Sequence, residues 1–460
     1  MLDLAKEAAA LARWPQAERA SALKRIIPRP AVKRALREAG AGRALCPWMP
    51  GWLVVWLVIG LGLFCRDSYR QIYRCLRRWE SRGVPLRSTL CEARKRVGVG
   101  PLVRLARAVV KPLATDKTPG GLCFYAGLRL VDMDGFVLNL ADSPANARVF
   151  GRPGGPSPGA WPQARVLALC EAGTHAMLDW LAKPCRVSEV AMAAPLLKRL
   201  PEGSLVLWDQ GFRRFELVAA VLARRSHLLA RARADKCAAP LTPVLPLADG
   251  SYLAKLYRNA YDRKADRGGI MVRVIDYTLD EPARVGCGKK HRLITTLLDA
   301  VAHPARDLVV LYHVRWEQEL AIDEVKTHEM QRPVLRSQTP AGVVQEIYGL
   351  LLAHYVVRTL MHEASLAADP PVAPTRLSFT GTLKILQCRL PACPRTPAAQ
   401  ACWWRELLAE VARETIEPRR NRINPRVIKV QRSKWPRKRK KHQHWPQPGK
   451  EFRDSIVMLR

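Results

Sequence analysis

Acidic residues are scarce in this chain. Among 460 residues, 40 are Asp or Glu and 76 are Lys or Arg, which leaves a formal net charge of +36. Such a surplus of one sign exceeds what solubility asks of a surface. It draws polyanions, of which nucleic acid is the commonest. Cys-x2-Cys pairs are absent. The twelve cysteines are scattered from Cys46 to Cys402, and Cys388 and Cys393 have no partner pair at zinc-ribbon spacing. They read as reduced, mostly buried thiols, which excludes a disulfide-stapled scaffold and a zinc ribbon. No secretory leader is expected at the start: Met1 to Trp14 carries Asp3, Lys6, Glu7 and Arg13 and has the pattern of an amphipathic helix. Long apolar runs are lacking as well. The uncharged stretch from Ala44 to Cys65 is split by Pro47 and Pro50. What remains, Trp52 to Phe64, falls short of the roughly 20 residues that span a bilayer and suits a buried core helix. The expectation is a cytoplasmic protein without a membrane span.

What is present is a globular composition, 48% hydrophobic and 25% charged, on a chain long enough for several domains. Residues 1–115 read as helical and basic. Thr89 and Glu92 have capping-box spacing, with Thr89 as N-cap. The helix they open carries Arg94, Lys95 and Arg96, a basic face that suits a DNA groove or an ordinary solvated surface equally. Residues 121–231 alternate strand and helix patterns, which implies a mixed or parallel sheet and an α/β fold class. Leu128 to Gly135 and Phe136 to Leu140 read as two strands of a hairpin or meander. Ser204 to Trp208 is a continuous apolar run ending in Asp209. Residues 232–300 read as an antiparallel β-rich insertion, and 301–415 return to helix. Residues 416–460 form a basic tail, with twelve basic residues and no acidic one from Arg419 to Lys441.

Three acids attract attention. Asp134 and Asp209 each close an apolar strand pattern, where α/β active sites form. Both also suit a turn before glycine. On one continuous helix, Tyr312, Arg315, Glu319 and Lys326 fall within an arc of about 60°. Three converging carboxylates on a basic protein can seat two hard divalent cations for phosphodiester chemistry. Asp132 rivals Asp134, since period two puts both on one face. Asp323 rivals Glu319.

The spacing Tyr312-x2-Arg315-x3-Glu319-x6-Lys326 resembles the Tyr–Arg–Glu–Lys motif of a large family of bacterial insertion-sequence transposases with Asp-Asp-Glu active sites. Asp134-Gly135, with Asp142-Ser143-Pro144-Ala145-Asn146 and Phe150-Gly151, resembles the family's first-aspartate region. Leu207-Trp208-Asp209-Gln210-Gly211-Phe212 resembles its second, usually written Asp-Arg-Gly-Phe. Leu293 to Asp299, Leu335-Arg336-Ser337, and Asn424-Pro425-Arg426 with Lys429 are similar to further family segments. The similarity runs from about residue 25 to residue 441. Two departures stand out: Gln210 replaces an arginine, and Phe136 replaces a small hydroxyl residue.

The resemblance implies a ribonuclease-H-like catalytic domain, in two parts at 121–231 and 301–415, interrupted by the β-rich insertion. Asp134, Asp209 and Glu319 would be the catalytic metal ligands for two Mg2+ ions, with Mn2+ as a substitute. Tyr312, Arg315 and Lys326 would contact DNA phosphates near the transposon end. Arg94, Lys95, Arg96, Arg426 and Lys429 would add DNA contacts. The implied activity is cut-and-paste transposition on terminal inverted repeats and target DNA, by a homodimer pairing two DNA ends near the bacterial nucleoid. A structure-selective nuclease of the same fold, or an inactive DNA-binding derivative, is the alternative.

Overall fold

The computed structural model describes residues 23–41, 49–76, 84–120, 122–154, 161–209, 214–232, 241–284, 286–313, 315–394, 396–417 and 448–459. The N-terminal amphipathic helix, Gln210 to Phe212, and the basic run holding Arg426 and Lys429 lie outside them. The strands are β1 (Phe124–Tyr125), β2 (Leu128–Asn139), β3 (Gln163–Glu171), β4 (Met177–Pro184), β5 (Ser204–Trp208), β6 (His227–Ala232), β7 (Leu241–Pro246), β8 (Tyr252–Leu256), β9 (Ile270–Leu279), β10 (His291–Thr295) and β11 (Ile456–Met458). Five helices matter here: α1 (Gly51–Leu63), α2 (Arg87–Val97), α3 (Ala305–His313), α4 (Trp316–Asp323) and α5 (Pro340–Ala367). A π-helical segment, Glu324–Glu329, directly follows α4. The fold is mixed α/β with a helical N-terminal region. The chain divides into two compact units: 1–123, 135–188 and 319–415 form the first; 124–134, 189–318 and 416–460 form the second.

The first unit is mostly helical. Every residue of α1 is buried, as a helix that is apolar all round must be. It packs along α5, also buried over most of its 28 residues. Glycines set the approach: a Cβ on Gly349 would strike the Val58 carbonyl, and one on Gly62 would lie 2.6 Å from the Ala353 Cβ. No helix among the described residues is long and apolar enough to cross a membrane. The capping-box expectation fails at α2. The helix starts at Arg87, with Leu86 as a cap that makes no side-chain bond. Leu86 is already extended and the helix begins at Arg87, so Thr89 falls within the first turn. The Glu92 carboxylate accepts from Lys95 at 2.6 Å instead of reaching back. In this unit β3 pairs antiparallel with β4 and neighbours β2.

The second unit is built on strands in the order β2-β5-β6-β10-β9-β8-β7, with β1 on β2 and β11 on β9. β2, β5 and β6 are parallel; the rest pair antiparallel. All five residues of β5 are buried, which explains its unbroken apolar pattern. The β-rich residues 241–295 join the parallel strands directly, through β10 on β6. The expected hairpin at Gly135 is absent: β2 runs unbroken from Leu128 to Asn139. Past Gly135 the in–out alternation simply resumes, with Phe136 and Leu138 buried and Val137 partly exposed.

Candidate active site

The parallel register builds the centre of the site. On β2 and β5, Asp132 pairs with Leu207 and Met133 with Trp208. Asp134 and Asp209 are the next residues along the two chains, and the charges of both act on Arg315. Adjacent strands run about 4.8 Å apart, so two carboxylates begin from neighbouring backbones. Asp132 and Asp134 share a face of β2, but Asp132 is fully buried, whereas the Asp134 side chain is 25% exposed. Only a side chain open to solvent can meet a substrate phosphate, which favours Asp134 over its rival.

Arg315 enters from the segment after α3. Its guanidinium stands 3.9 Å from the Asp134 carboxylate and 6.0 Å from the centre of the Tyr312 ring. Burial works against its charge, yet Tyr312, Asp209, Asp134 and Asp132 together hold its proton more tightly than usual. The Tyr312 hydroxyl donates to the Trp208 carbonyl at 3.3 Å, one residue before Asp209. Burial pushes the Tyr312 phenol well up, and the Asp209 charge adds to this; Arg315 opposes it. Tyr312 is therefore a neutral donor at any working pH, not a base. Beside it on α3, His313 stacks on Phe452 at 4.1 Å. Burial, then the nearby Arg284 charge, pushes its imidazole down to about 4.

The expected four-residue row on one helix is not found. α3 ends at His313, α4 begins at Trp316, and the chain turns π-helical at Glu324. Tyr312 and Arg315 belong to the second unit, Glu319 and Lys326 to the first. In the first unit Glu319 is half-buried on α4, and Lys326 is exposed on the π-segment. Asp323 is exposed and occupied by Thr327, whose hydroxyl donates to it at 2.6 Å, and by His328 at 3.5 Å. Among the described residues, no group of three or more His, Cys, Asp or Glu side chains is gathered into a metal cluster. Asp134 and Asp209, whose charges both act on Arg315, offer hard carboxylate oxygens, the chemistry a divalent magnesium-like ion takes.

Of the basic trio on α2, Lys95 and Arg96 are exposed, but Arg94 is a correction. It is 5% exposed. Its guanidinium donates to Tyr69, to the Ser337 hydroxyl at 3.4 Å and to the Gly342 carbonyl at 3.1 Å. Leu90, Ala93 and Val97 form the buried face of α2, and Arg94, next to Ala93, is drawn in with them. Two motif segments turn out to be joined inside the first unit. The Asn146 side-chain amide donates to the Ala141 and Ser337 carbonyls at 3.0 and 2.9 Å. The Ser143 hydroxyl donates to the Gln338 carbonyl at 2.7 Å. Asp142 to Asn146 and Leu335 to Ser337 are thus one structural joint.

A model of the transposase DDE domain matches residues 125–356, and a model of the insertion element 4 transposase N-terminal domain matches residues 17–107. The chain belongs to the DDE transposase family: it is a DNA transposase, a metal-dependent enzyme of DNA cleavage and strand transfer. It is 27% identical over 426 residues to transposase InsG for insertion sequence element IS4 of Escherichia coli strain K12, covering 90% of this chain and 92% of that one. Among solved structures, the cryo-EM structure of a piggyBac transposase synaptic complex with hairpin DNA matches at a TM-score of 0.41 and 12% identity, over 87% of this chain and 83% of that one.

Proposed function

We propose that this transposase cuts out and reinserts an insertion sequence, with Asp134, Asp209 and Glu319 holding two Mg2+ ions. The observation that supports this reading is Arg315, 3.9 Å from the Asp134 carboxylate and acted on by the Asp209 charge as well, beside two strands that pair in parallel up to the residues before these acids. Bound divalent ions would activate a water or a 3′-hydroxyl for attack on phosphorus and stabilise the leaving oxygen. Asp134 and Asp209 supply ionised oxygens. Arg315 fixes the direction of the Asp134 carboxylate and offers a permanent cation to a phosphate. Tyr312 holds the strand end before Asp209. Lys326, Lys95 and Arg96, all exposed, meet DNA phosphates; Arg426 and Lys429 do so from the tail.

The strand order β2-β5-β6, parallel throughout, with β3 beside β2, supports a ribonuclease-H-like core. In this reading residues 1–115 grip the terminal inverted repeats, and two copies in the bacterial cytoplasm pair two DNA ends. The test replaces Asp209 with asparagine and supplies a terminal-repeat substrate with magnesium. Nicking and strand transfer should vanish while DNA binding stays. Undiminished cleavage would overturn the metal assignment. Wild-type cleavage without joining would favour the nuclease alternative.

A further inference from the structure

A second charged cluster lies sealed inside the first unit. Glu324, the first residue of the π-segment, has a side chain only 4% exposed. Its Oε2 accepts from Arg358 Nε at 2.9 Å and from His354 Nε2 at 3.3 Å. Its Oε1 accepts from His175 Nδ1 at 3.0 Å and from a second Arg358 nitrogen. Arg358 and His354 come from α5, and His175 from the turn between β3 and β4. His175 holds a left-handed backbone, φ 57°, which a non-glycine residue adopts only when its surroundings demand it. The histidines are fully buried and Arg358 is 1% exposed. Burial pushes His354 down, and the Arg358 guanidinium is the main charge that holds the Glu324 carboxyl well below its usual range. At the other end of the π-segment Glu329 is also buried; burial and the Glu324 charge push its carboxyl well up. Glu324 therefore carries the segment's negative charge.

The segment these bonds grip is unusual. A π-turn bonds each residue to the fifth along, turns less per residue than an α-helix, and is rare without outside support. Lys326 lies inside it, two residues after Glu324, and points to solvent. Glu319 lies five residues before Glu324 on α4. Where the π-turn begins thus decides the direction in which Lys326 leaves the surface relative to Glu319.

We infer that the Glu324–Arg358 pair, seated on His175 and His354, is the positioning device of the transposase site: it holds the π-turn and so aims Lys326 at DNA. This rests on the reading of Lys326 as a phosphate contact. Removing one member of a buried pair destabilises; removing both for apolar or neutral groups is often tolerated. The double variant Glu324→Gln with Arg358→Met therefore keeps the fold while releasing the π-turn.

The test measures affinity for terminal-repeat DNA against salt concentration for the full chain, Lys326→Ala, the double variant and all three changes combined. Each phosphate contact adds about one to the slope of log affinity against log salt. Lys326→Ala should lower the slope by about one. The double variant should lower it alike, with no further drop when combined. Should the double variant not fold, Arg358→Lys keeps the charge, loses the two-pronged grip and gives the same result at smaller amplitude. If Lys326→Ala lowers the slope but neither Arg358 variant does, the positioning role is overturned and the transposase site stands. If Lys326→Ala changes nothing, the phosphate contact falls, and this inference with it.

Discussion

Two arginines, Arg315 and Arg358, each sit among acids, and they do opposite things. Arg358 meets Glu324 in the dry interior of the first unit, with both carboxylate oxygens bonded and both side chains under 5% exposed. Charge and hydrogen bonds close on themselves there. Arg315, in the second unit, feels three carboxylates, Asp132, Asp134 and Asp209, and its contact with Asp134 is a loose 3.9 Å. Asp134 stays a quarter exposed. A closed pair holds a backbone in place; an acid-rich one that is partly exposed leaves carboxylate oxygens in reach of solvent. Burial and completeness of bonding, not charge alone, separate the closed cluster from the open one.

Changes at the open cluster should strike the reaction first. Asp209→Asn should lower cleavage of terminal-repeat DNA by at least 10²–10³-fold, on the order seen when one preorganised electrostatic partner is lost. Thermal unfolding should barely move. If the unfolding midpoint falls with activity, the distinction between the clusters breaks down. At the closed cluster the expectation reverses. Glu324→Gln strands the Arg358 guanidinium in the core and should cost about 3–5 kcal/mol by denaturant titration, most of it recovered by adding Arg358→Met.

Acid should weaken the second unit through His313. Its folded value, about 4, lies below the ordinary 6.5. The unfolded chain thus binds the proton first, and stability present above pH 6.5 is lost as pH falls towards 4. The slope reaches up to about 1.4 kcal/mol per pH unit. Unfolding curves of His313→Leu across that window should be flatter than those of the parent. The smallest effect belongs to Tyr312→Phe. Losing one 3.3 Å bond to the Trp208 carbonyl should cost about 0.5–1.5 kcal/mol and leave the pH profile of cleavage unshifted, since the phenol never ionises in range.

The sequence was most readable where one chemical pattern leaves one structural choice. An uncharged thirteen-residue run could only be a buried helix, and α1 is one. The apolar run before Asp209 could only be an interior strand. The motif spacing carried the family. It did not carry the local geometry. The row from Tyr312 to Lys326 looked like one helical face, but Arg315 sits in a turn and a π-turn begins at Glu324. Gly135 looked like a turn and is strand, because extended backbone suits glycine as well. Arg94 looked like part of a basic face, yet Tyr69, Ser337 and Gly342, all distant in sequence, draw it inside. The cluster of His175, Glu324, His354 and Arg358 was missed altogether. Its one readable hint was His354 and Arg358 within the apolar stretch from Ile347 to Met361. The partners that make sense of them lie 30 or more residues away, beyond any periodicity.

Manganese binding to the DNA-bound chain, followed by electron paramagnetic resonance, bears most directly on the three acids. Two bound ions are expected for the parent, with binding sharply weakened in Asp134→Asn, Asp209→Asn and Glu319→Gln alike. Undiminished binding of both ions by Glu319→Gln would contradict the three-acid metal seat.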